Sequence, residues 1–323
     1  MKILIYSFND KLGDGLQKIT FIQSLKKIFP DSQITYTTTN TTTLKNQLSP
    51  LIQGYIDHFI EYNQINSSLV NLFKKNEIFS GMYFDLIIDL QKVVIRTLKL
   101  KQIKHKFFFS TTANLLFSDY KNKNNIAFKK IYIEQFYFNI LEVISNQKFD
   151  KIPNINIPKY DISNIPIKFD IKKNIGIAPG AGDNDRRWPF SNYLKIAKNL
   201  RDKGYNIYFF IGPDEKDLLK ECLNNNFECP EWTKGQQVSK DIRFLMNLAK
   251  KMSCLLTNDG GTSWMFQFAG VKTLKIFGLT DAKKFSRPGF SESISVQEYG
   301  YKSIIDYPVR EYEIKLFSFL ERL

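Results

Sequence analysis

Apolar, strand-like runs alternate with helix-period segments along the whole chain, and this alternation restricts the fold more than any other feature. It is the signature of βαβ units and a mostly parallel sheet. Ile3–Ser7 reads as a strand, followed by a loop around Gly13, a helical run Leu16–Ile28 stopped by Pro30, and a second strand at Ser32–Thr37. Tyr83–Leu90 (YFDLIIDL) reads as a buried strand and Val93–Ile103 as a helix. Between residues 150 and 170 the pattern lapses. Pro153, Pro158 and Pro166 stand there among Asn, Ile and Asp with no helical period, as in a linker. The alternation then restarts. Strands are predicted at Asn174–Ala178, Tyr205–Ile211, Cys254–Thr257 and Thr273–Phe277, and helices at Ser191–Lys203, Asp241–Lys251 and Thr262–Ala269. No internal repeat of solenoid period is present. At 323 residues the chain exceeds one ordinary core and fits two. The expectation is two doubly wound α/β domains, residues 1–165 and 166–323, with a cleft between them as a natural ligand site.

Composition narrows the function classes. With 43% hydrophobic and 24% charged residues, the chain is a globular one and not a disordered one. The net charge of +14 is spread over both halves and suits an anionic partner: nucleic acid, a phosphorylated substrate or an acidic membrane surface. Cys222, Cys229 and Cys254 are odd in number and lack a CxxC spacing, which points to a reducing compartment and away from a disulfide framework or zinc site. Only two histidines, His58 and His105, are present, too few and too far apart for a histidine-rich metal centre. Asn9 and Asp10 interrupt the N-terminal apolar run before it reaches signal-peptide length, and no stretch approaches the roughly 20 apolar residues of a membrane span. A cytoplasmic protein is expected.

Four segments carry potential chemistry. In Leu255–Gly278 a buried strand runs into Asn258-Asp259-Gly260-Gly261, and a helix begins at Thr262 or Ser263, either of which would be a good N-cap. The glycines admit a close ligand, and the helix N-terminus favours an anion such as a diphosphate; a plain strand–turn–helix connection would use the same residues. In Gly176–Pro189 a strand ends in a small-residue loop followed by Arg186-Arg187-Trp188-Pro189. Arginine forks suit phosphate oxygens, or the loop is simply solvated and Trp188 plugs the core. In Phe209–Glu215 a strand ends at Gly212, and Glu215 either accepts ribose hydroxyls or stabilises a helix start. In Lys11–Leu16, Asp14 lies between two glycines, either as a general base or as an N-cap.

Taken in order, these segments resemble the ADP-heptose:lipopolysaccharide heptosyltransferases, glycosyltransferase family 9. Gly13-Asp14 through Pro30 is similar to the family's opening strand–Gly-Asp–helix unit, and Tyr83, Asp85–Leu90 and Gln91 to its yDlvidLQ stretch. Arg186-Arg187-Trp188-Pro189 resembles its Lys/Arg-x-Trp-Pro motif, Gly212–Glu215 its Gly-x-x-Glu, and Asn258–Gly261 with Phe277-Gly278-x-Thr280 its Asn-Asp-Thr-Gly…Phe-Gly-x-Thr block. The resemblance implies a GT-B architecture, two facing Rossmann-like domains, with an N-terminal acceptor domain and a C-terminal nucleotide-sugar domain. It implies inverting transfer of a heptose from ADP-heptose to a lipopolysaccharide core or other envelope glycan, without cofactor or metal. Asp14 would be the base, Arg186 and Arg187 would meet the diphosphate, and Glu215 the ribose. Asp259, Gly260, Gly261 and Thr262 would hold the diphosphate-sugar end. Asp10, in the same loop as Asp14, is the rival base. The chain departs from the family where Gly260 replaces the usual Thr, where Trp264 replaces the usual His, and near Thr20, where the family has Pro. Trp264 cannot accept a proton as imidazole does.

Lys92–Lys106 contains Lys92, Arg96, Lys99, Lys101, Lys104 and Lys106 with no acid among them, followed by Phe107-Phe108-Phe109. One reading is contact with an anionic glycolipid acceptor at the cytoplasmic face of the inner membrane, with Arg96, Lys99 and Lys101 as acceptor-binding residues. The other is a basic helix face with a core strand behind it. A different nucleotide-sugar or a protein acceptor would suit the same fold. A basic nucleic-acid-binding protein would account for the charge, but no motif of that class is present, so nucleic acid is not an expected partner.

Overall fold

A computed structural model describes residues 1–68, 72, 76–122, 125–213 and 215–323, and in it the chain forms two compact units, Met1–Asn154 and Ile155–Leu323. The division falls inside the proline-rich segment. Where sequence pattern alone draws the border at 165/166, the contacts draw it eleven residues earlier, because Tyr160, Ile162, Ile165 and Ile167 pack on the second unit's core beside Phe244, Leu248 and Phe266. No helix among the described residues is long and apolar enough to cross a membrane.

The first unit is a five-stranded parallel sheet in the order β3-β2-β1-β4-β5, formed by β1 (Lys2–Ser7), β2 (Gln33–Thr38), β3 (His58–Ile60), β4 (Tyr83–Asp89) and β5 (Lys104–Ser110). Strands β1 and β4 are covered on both faces, which is why they read as continuous apolar runs and not as alternating ones. The helices are α1 (Leu12–Ile28), α2 (Ser49–Ile52), α3 (Val94–Lys101) and α4 (Ile133–Ser145). Helix α4 packs on α1, with Phe21 and Tyr137 rings 5.9 Å apart. Helix α1 starts four residues before the apolar periodicity does. Gly15, in its first turn, lies so close to the 43–48 loop that a Cβ would come within 2.6 Å of Thr43 Oγ1.

The second unit repeats the plan with β6 (Asn174–Ala178), β7 (Asn206–Phe209), the antiparallel pair β8 (Trp232–Thr233) and β9 (Gln236–Gln237), β10 (Cys254–Asn258), β11 (Lys272–Phe277) and β12 (Ser291–Ser295). Its parallel sheet runs β12-β11-β10-β6-β7. The helices are α5 (Phe190–Asp202), α6 (Lys216–Asn224), α7 (Ile242–Ala249), α8 (Gly261–Phe268), α9 (Ala282–Phe285) and α10 (Val309–Leu320). Ile175, Ile177, Leu256, Leu274 and Ile276 form the centre of the core on one face of the sheet. The three cysteines are buried and unbridged.

Candidate nucleotide-sugar site

In a doubly wound sheet the ligand crevice opens at the carboxyl ends of the strands where the winding reverses. In the second unit that point lies between β6 and β10, which pair directly, Ile177 opposite Leu256. The loops leaving these strands, 179–189 and 259–261, carry two of the sequence motifs. Asn258, fully buried at the end of β10, ties them together. Its Oδ1 accepts from the Trp188 backbone N–H (3.0 Å) and the Tyr193 hydroxyl (3.0 Å), and its Nδ2 donates to the Pro179 carbonyl (2.5 Å). Trp188 is the core plug: 1% exposed, it donates through Nε1 to the Tyr307 carbonyl (2.8 Å) and stacks on Tyr312 at 4.5 Å. The arginines before it are thereby held at the crevice rim.

Arg187 folds back on its own loop, with Nε and Nη2 donating to the Ala181 carbonyl (2.9 and 2.6 Å), and its Nη2 lies 3.7 Å from Glu215 Oε1. Glu215 precedes α6 and accepts from the Gly212 N–H at 3.1 Å. Its carboxylate stands directly over Gly180, where a Cβ would fall 2.0 Å from Oε1, so only glycine leaves room for the acid there. Arg186 projects outward, about half exposed, and meets Asp183 Oδ2 at 3.3 Å, an exposed pair of little energetic consequence. Asp214, between Gly212 and Glu215 in the third segment, lies outside the described residues.

Opposite stands the start of α8. Gly260 occupies the N-cap position, and neither Thr262 nor Ser263 caps the helix as expected; the Ser263 hydroxyl donates instead to the Gly260 carbonyl at 2.7 Å. The Gly261 and Thr262 amides therefore stand among the orphan N–H groups of a helix N-terminus, where an anion is favoured. Gly260 faces the β6 loop closely, a Cβ there meeting the Gly180 carbonyl at 3.4 Å. Asp259 is buried, and its Oδ1 lies 3.0 Å from the Nζ of Lys275, a β11 side chain with no solvent exposure. Trp264 is buried too, its ring 5.1 Å from that ammonium.

In the first unit the winding reverses between β1 and β4. Asp10, just beyond β1, is fully engaged. Oδ1 accepts from Ser7 Oγ (2.8 Å) and Lys18 Nζ, and Oδ2 from the Tyr36 hydroxyl (2.6 Å) and Thr42 Oγ1 (3.2 Å). Burial pushes its carboxyl up, but the Lys18 charge and the donated hydrogen bonds outweigh this and hold it below its ordinary value. Four donors thus saturate the Asp10 carboxylate and make it a weaker base. Asp14 is the contrast. The helix starts at Leu12 after Lys11, with no side-chain cap, so Asp14 is not a cap but an exposed acid in the first turn of α1.

At the end of β4, Asp89 is buried and accepts from Thr97 Oγ1 (2.6 Å), the Gln91 N–H (2.9 Å) and Ser110 Oγ (2.9 Å). Burial lifts its pKa to about 6. Arg96 in α3 lies with its guanidinium 3.4 Å from the Phe8 ring centroid, and its Nε is buried without a hydrogen-bond partner. The other two cations expected at an acceptor are tied inward: Lys99 is buried with Nζ on Asn66 Oδ1 (3.0 Å), and Lys101 donates to the Phe117 carbonyl (2.9 Å). Phe108 and Phe109 are buried in β5, so within the run only Phe107 reaches solvent.

The family model of glycosyltransferase family 9 (heptosyltransferase) matches residues 79–303. The chain belongs to this family. No curated protein sequence matches this glycosyltransferase, but solved structures share its fold. The glycosyl transferase family 9 structure from Veillonella parvula DSM 2008 superposes with a TM-score of 0.70 at 19% identity, covering 100% of this chain and 98% of that one. E. coli ADP-heptose lps heptosyltransferase II gives 0.63 at 15%, covering 100% and 99%. E. coli heptosyltransferase WaaC with ADP gives 0.67 at 13%, covering 99% and 98%. Two parallel α/β units of five strands each are thus the heptosyltransferase fold.

In this heptosyltransferase-family enzyme the motif residues Arg187, Glu215, Asp259, Gly260, Gly261 and Thr262 converge on one crevice of the second unit. Asn258, from the second unit's Asn-Asp-Gly-Gly motif, joins the loops. Two residues of the site have no sequence motif to announce them: Lys275 backs Asp259, and Glu231 lies buried near Glu215. Burial first, and then the Glu215 charge, lift the Glu231 pKa to about 8. Lys275 stands in a strand predicted from the sequence, between Leu274 and Ile276, which is the signal that could have found it.

Proposed function

We propose that this protein is an inverting glycosyltransferase that moves a heptose, or a related sugar, from an ADP-linked donor to a lipopolysaccharide core or other anionic envelope glycan at the cytoplasmic face of the inner membrane. The observation that carries the donor half is the convergence, at the β6/β10 reversal, of an arginine, a ribose-suited carboxylate and a helix N-terminus around close-approaching glycines. Glu215 accepts the ribose hydroxyls. Arg186 and Arg187 meet the diphosphate, as do the Gly261 and Thr262 amides, and Asp259 receives a sugar hydroxyl. E. coli heptosyltransferase WaaC has been solved with ADP and with ADP-2-deoxy-2-fluoro heptose, which supports the adenine nucleotide.

Displacement at the anomeric carbon passes through an oxocarbenium-like transition state. Asp14, exposed and without a hydrogen bond among the described residues, takes the proton of the attacking hydroxyl, while Arg96 draws the anionic acceptor. The charge growing on the departing diphosphate is met by the arginines and the α8 dipole, with no metal ion or cofactor needed. A second reading keeps this chemistry with another nucleotide-sugar; buried Trp264 in place of the family's usual His favours it.

A thermal-shift screen against ADP, UDP, GDP, CMP and ADP-heptose separates the two. A ligand at about 100 times its Kd adds roughly 2.7 kcal/mol to stability. A selective shift with ADP and ADP-heptose supports the first reading, a shift with another nucleotide supports the second, and no shift sinks both. Asp14→Asn is expected to lower kcat by about 100-fold with donor Kd unchanged; normal turnover would remove Asp14 as the base.

A further inference from the structure

A lysine with no solvent exposure is costly, since burial strips its ammonium of water. Lys275 has this situation, and burial pushes its pKa down against the opposing pull of Asp259. Its contacts are few and well defined. Nζ lies 3.0 Å from Asp259 Oδ1 and donates to the Phe285 carbonyl at 3.1 Å, while the rings of Trp264 and Phe277 lie 5.1 and 4.9 Å from it. Strand β11 pairs with β10 in parallel register, Lys275 opposite Thr257, two residues before Asp259. The ammonium therefore comes from the neighbouring strand to the acid at the tip of β10, immediately before the Gly260 N-cap of α8.

The pair is asymmetric. The shortest contact is to Oδ1, and the lysine is walled off by two aromatic rings while the aspartate lies at the crevice. A purely structural need for packing would be met more cheaply by an apolar side chain in this buried strand. Without a counter-charge, Asp259 would face the same diphosphate as the helix amides and repel it. With one, it is neutralised from behind and fixed in direction.

We propose that Lys275 is the positioning residue of the donor site: from β11 it holds the Asp259 carboxylate in place at the start of α8, so that Oδ2 receives a hydroxyl of the donor's sugar while the helix amides receive the diphosphate. This rests on the donor reading above and adds the residue that makes Asp259 compatible with an anionic ligand. Trp264 and Phe277 shield the ammonium, and their aromatic faces replace part of its lost hydration.

The test measures Kd for ADP and for ADP-heptose by titration calorimetry in the wild type, Lys275→Met, Asp259→Asn and the double variant. A hydrogen bond to a charged group predicts a loss of about tenfold or more for ADP-heptose in each variant. ADP, which lacks the sugar but carries the diphosphate, is expected to bind Asp259→Asn about as well as the wild type and Lys275→Met more weakly, because the unpaired Asp259 carboxylate repels it. The double variant removes both charges at once, so it folds even where Lys275→Met leaves a buried unpaired acid, and it should bind ADP-heptose no more weakly than Asp259→Asn does. Wild-type affinity for ADP-heptose in Lys275→Met, or a further loss in the double variant beyond Asp259→Asn, overturns the role of Lys275 alone. A wild type that binds neither ligand overturns the donor reading, and this role with it.

Discussion

Glu231 offers the sharpest physical test of the second unit. It is 7% exposed, and burial together with the nearby Glu215 charge lifts its pKa from 4.5 to about 8. A carboxyl whose folded pKa is raised is protonated in the folded state at pH values where the unfolded chain has already released the proton. Its contribution to stability is therefore fully present below pH 4.5 and is lost as pH rises towards 8. The slope is about 1.4 kcal/mol per pH unit, so the loss amounts to about 3 kcal/mol by pH 7 and about 5 kcal/mol by pH 8. Glu231→Gln keeps the shape and removes the titration. The variant should match the wild type at pH 4.5 to 5, apart from a constant offset, and gain on it by several kcal/mol at pH 8. All three tryptophans, Trp188, Trp232 and Trp264, lie in the second unit, so urea unfolding followed by tryptophan fluorescence reports on that unit. A wild-type-minus-variant difference that stays constant from pH 5 to 8 would refute the reasoning. The functional counterpart is a donor affinity that weakens in the wild type above pH 8, where Glu231 ionises beside Glu215, and is flat in Glu231→Gln.

Further outcomes follow from the same geometry. Asp10→Asn strands the buried Lys18 ammonium and should cost about 3–5 kcal/mol in urea melts at pH 7; the wild type should lose the Asp10 contribution only as pH falls below about 4, because its folded pKa is depressed. Gly180→Ala drives a Cβ into the Glu215 carboxylate and should raise the nucleotide Kd by about tenfold while leaving the fold's circular dichroism intact. Asn258→Ala orphans three buried hydrogen-bond partners at the loop junction. It is expected to cost about 3 kcal/mol or more of stability and to weaken nucleotide binding, both read in one thermal-shift titration.

The strands nearest the site are legible in the sequence because they are covered on both faces: β1, β4, β6, β10 and β11 each appear as an apolar run, correct to within a residue or two. The edges are not. β3 is three residues long, and β12, Ser291–Ser295, is a polar run whose place is given by pairing with β11. The basic and aromatic segment after β4 admits two readings; Lys99, Phe108 and Phe109 are buried in the helix and strand, while Phe107 reaches solvent. In the site, motif residues that face the crevice are recognisable by type. Asn258 stands in a recognisable motif, but its contact with Pro179, like that of Lys275 with Asp259, is one that no local pattern encodes.

The two sheets are wound differently, and this separates the chemistry. In the first unit the chain order across the sheet is third, second, first, fourth, fifth strand, whereas in the second unit the parallel strands run fifth, fourth, third, first, second. Each arrangement opens its crevice beside the first strand, next to the fourth in one case and the third in the other. The first crevice holds the exposed Asp14, with Asp10 locked by Lys18 behind it. The second holds the arginines, the helix N-terminus and the Asp259–Lys275 pair. Two buried acids near the crevices are balanced within their own units, Asp10 by Lys18 and Asp259 by Lys275. Altering one unit's charges therefore leaves the other's in place. Asp14→Asn and Arg187→Ala should be additive in the free energy of the transition state, the first acting through kcat and the second through donor affinity. Coupling between them above about 1 kcal/mol in a double-mutant cycle would show that proton removal and nucleotide binding share a residue, and that the division of labour drawn from the two sheets is wrong.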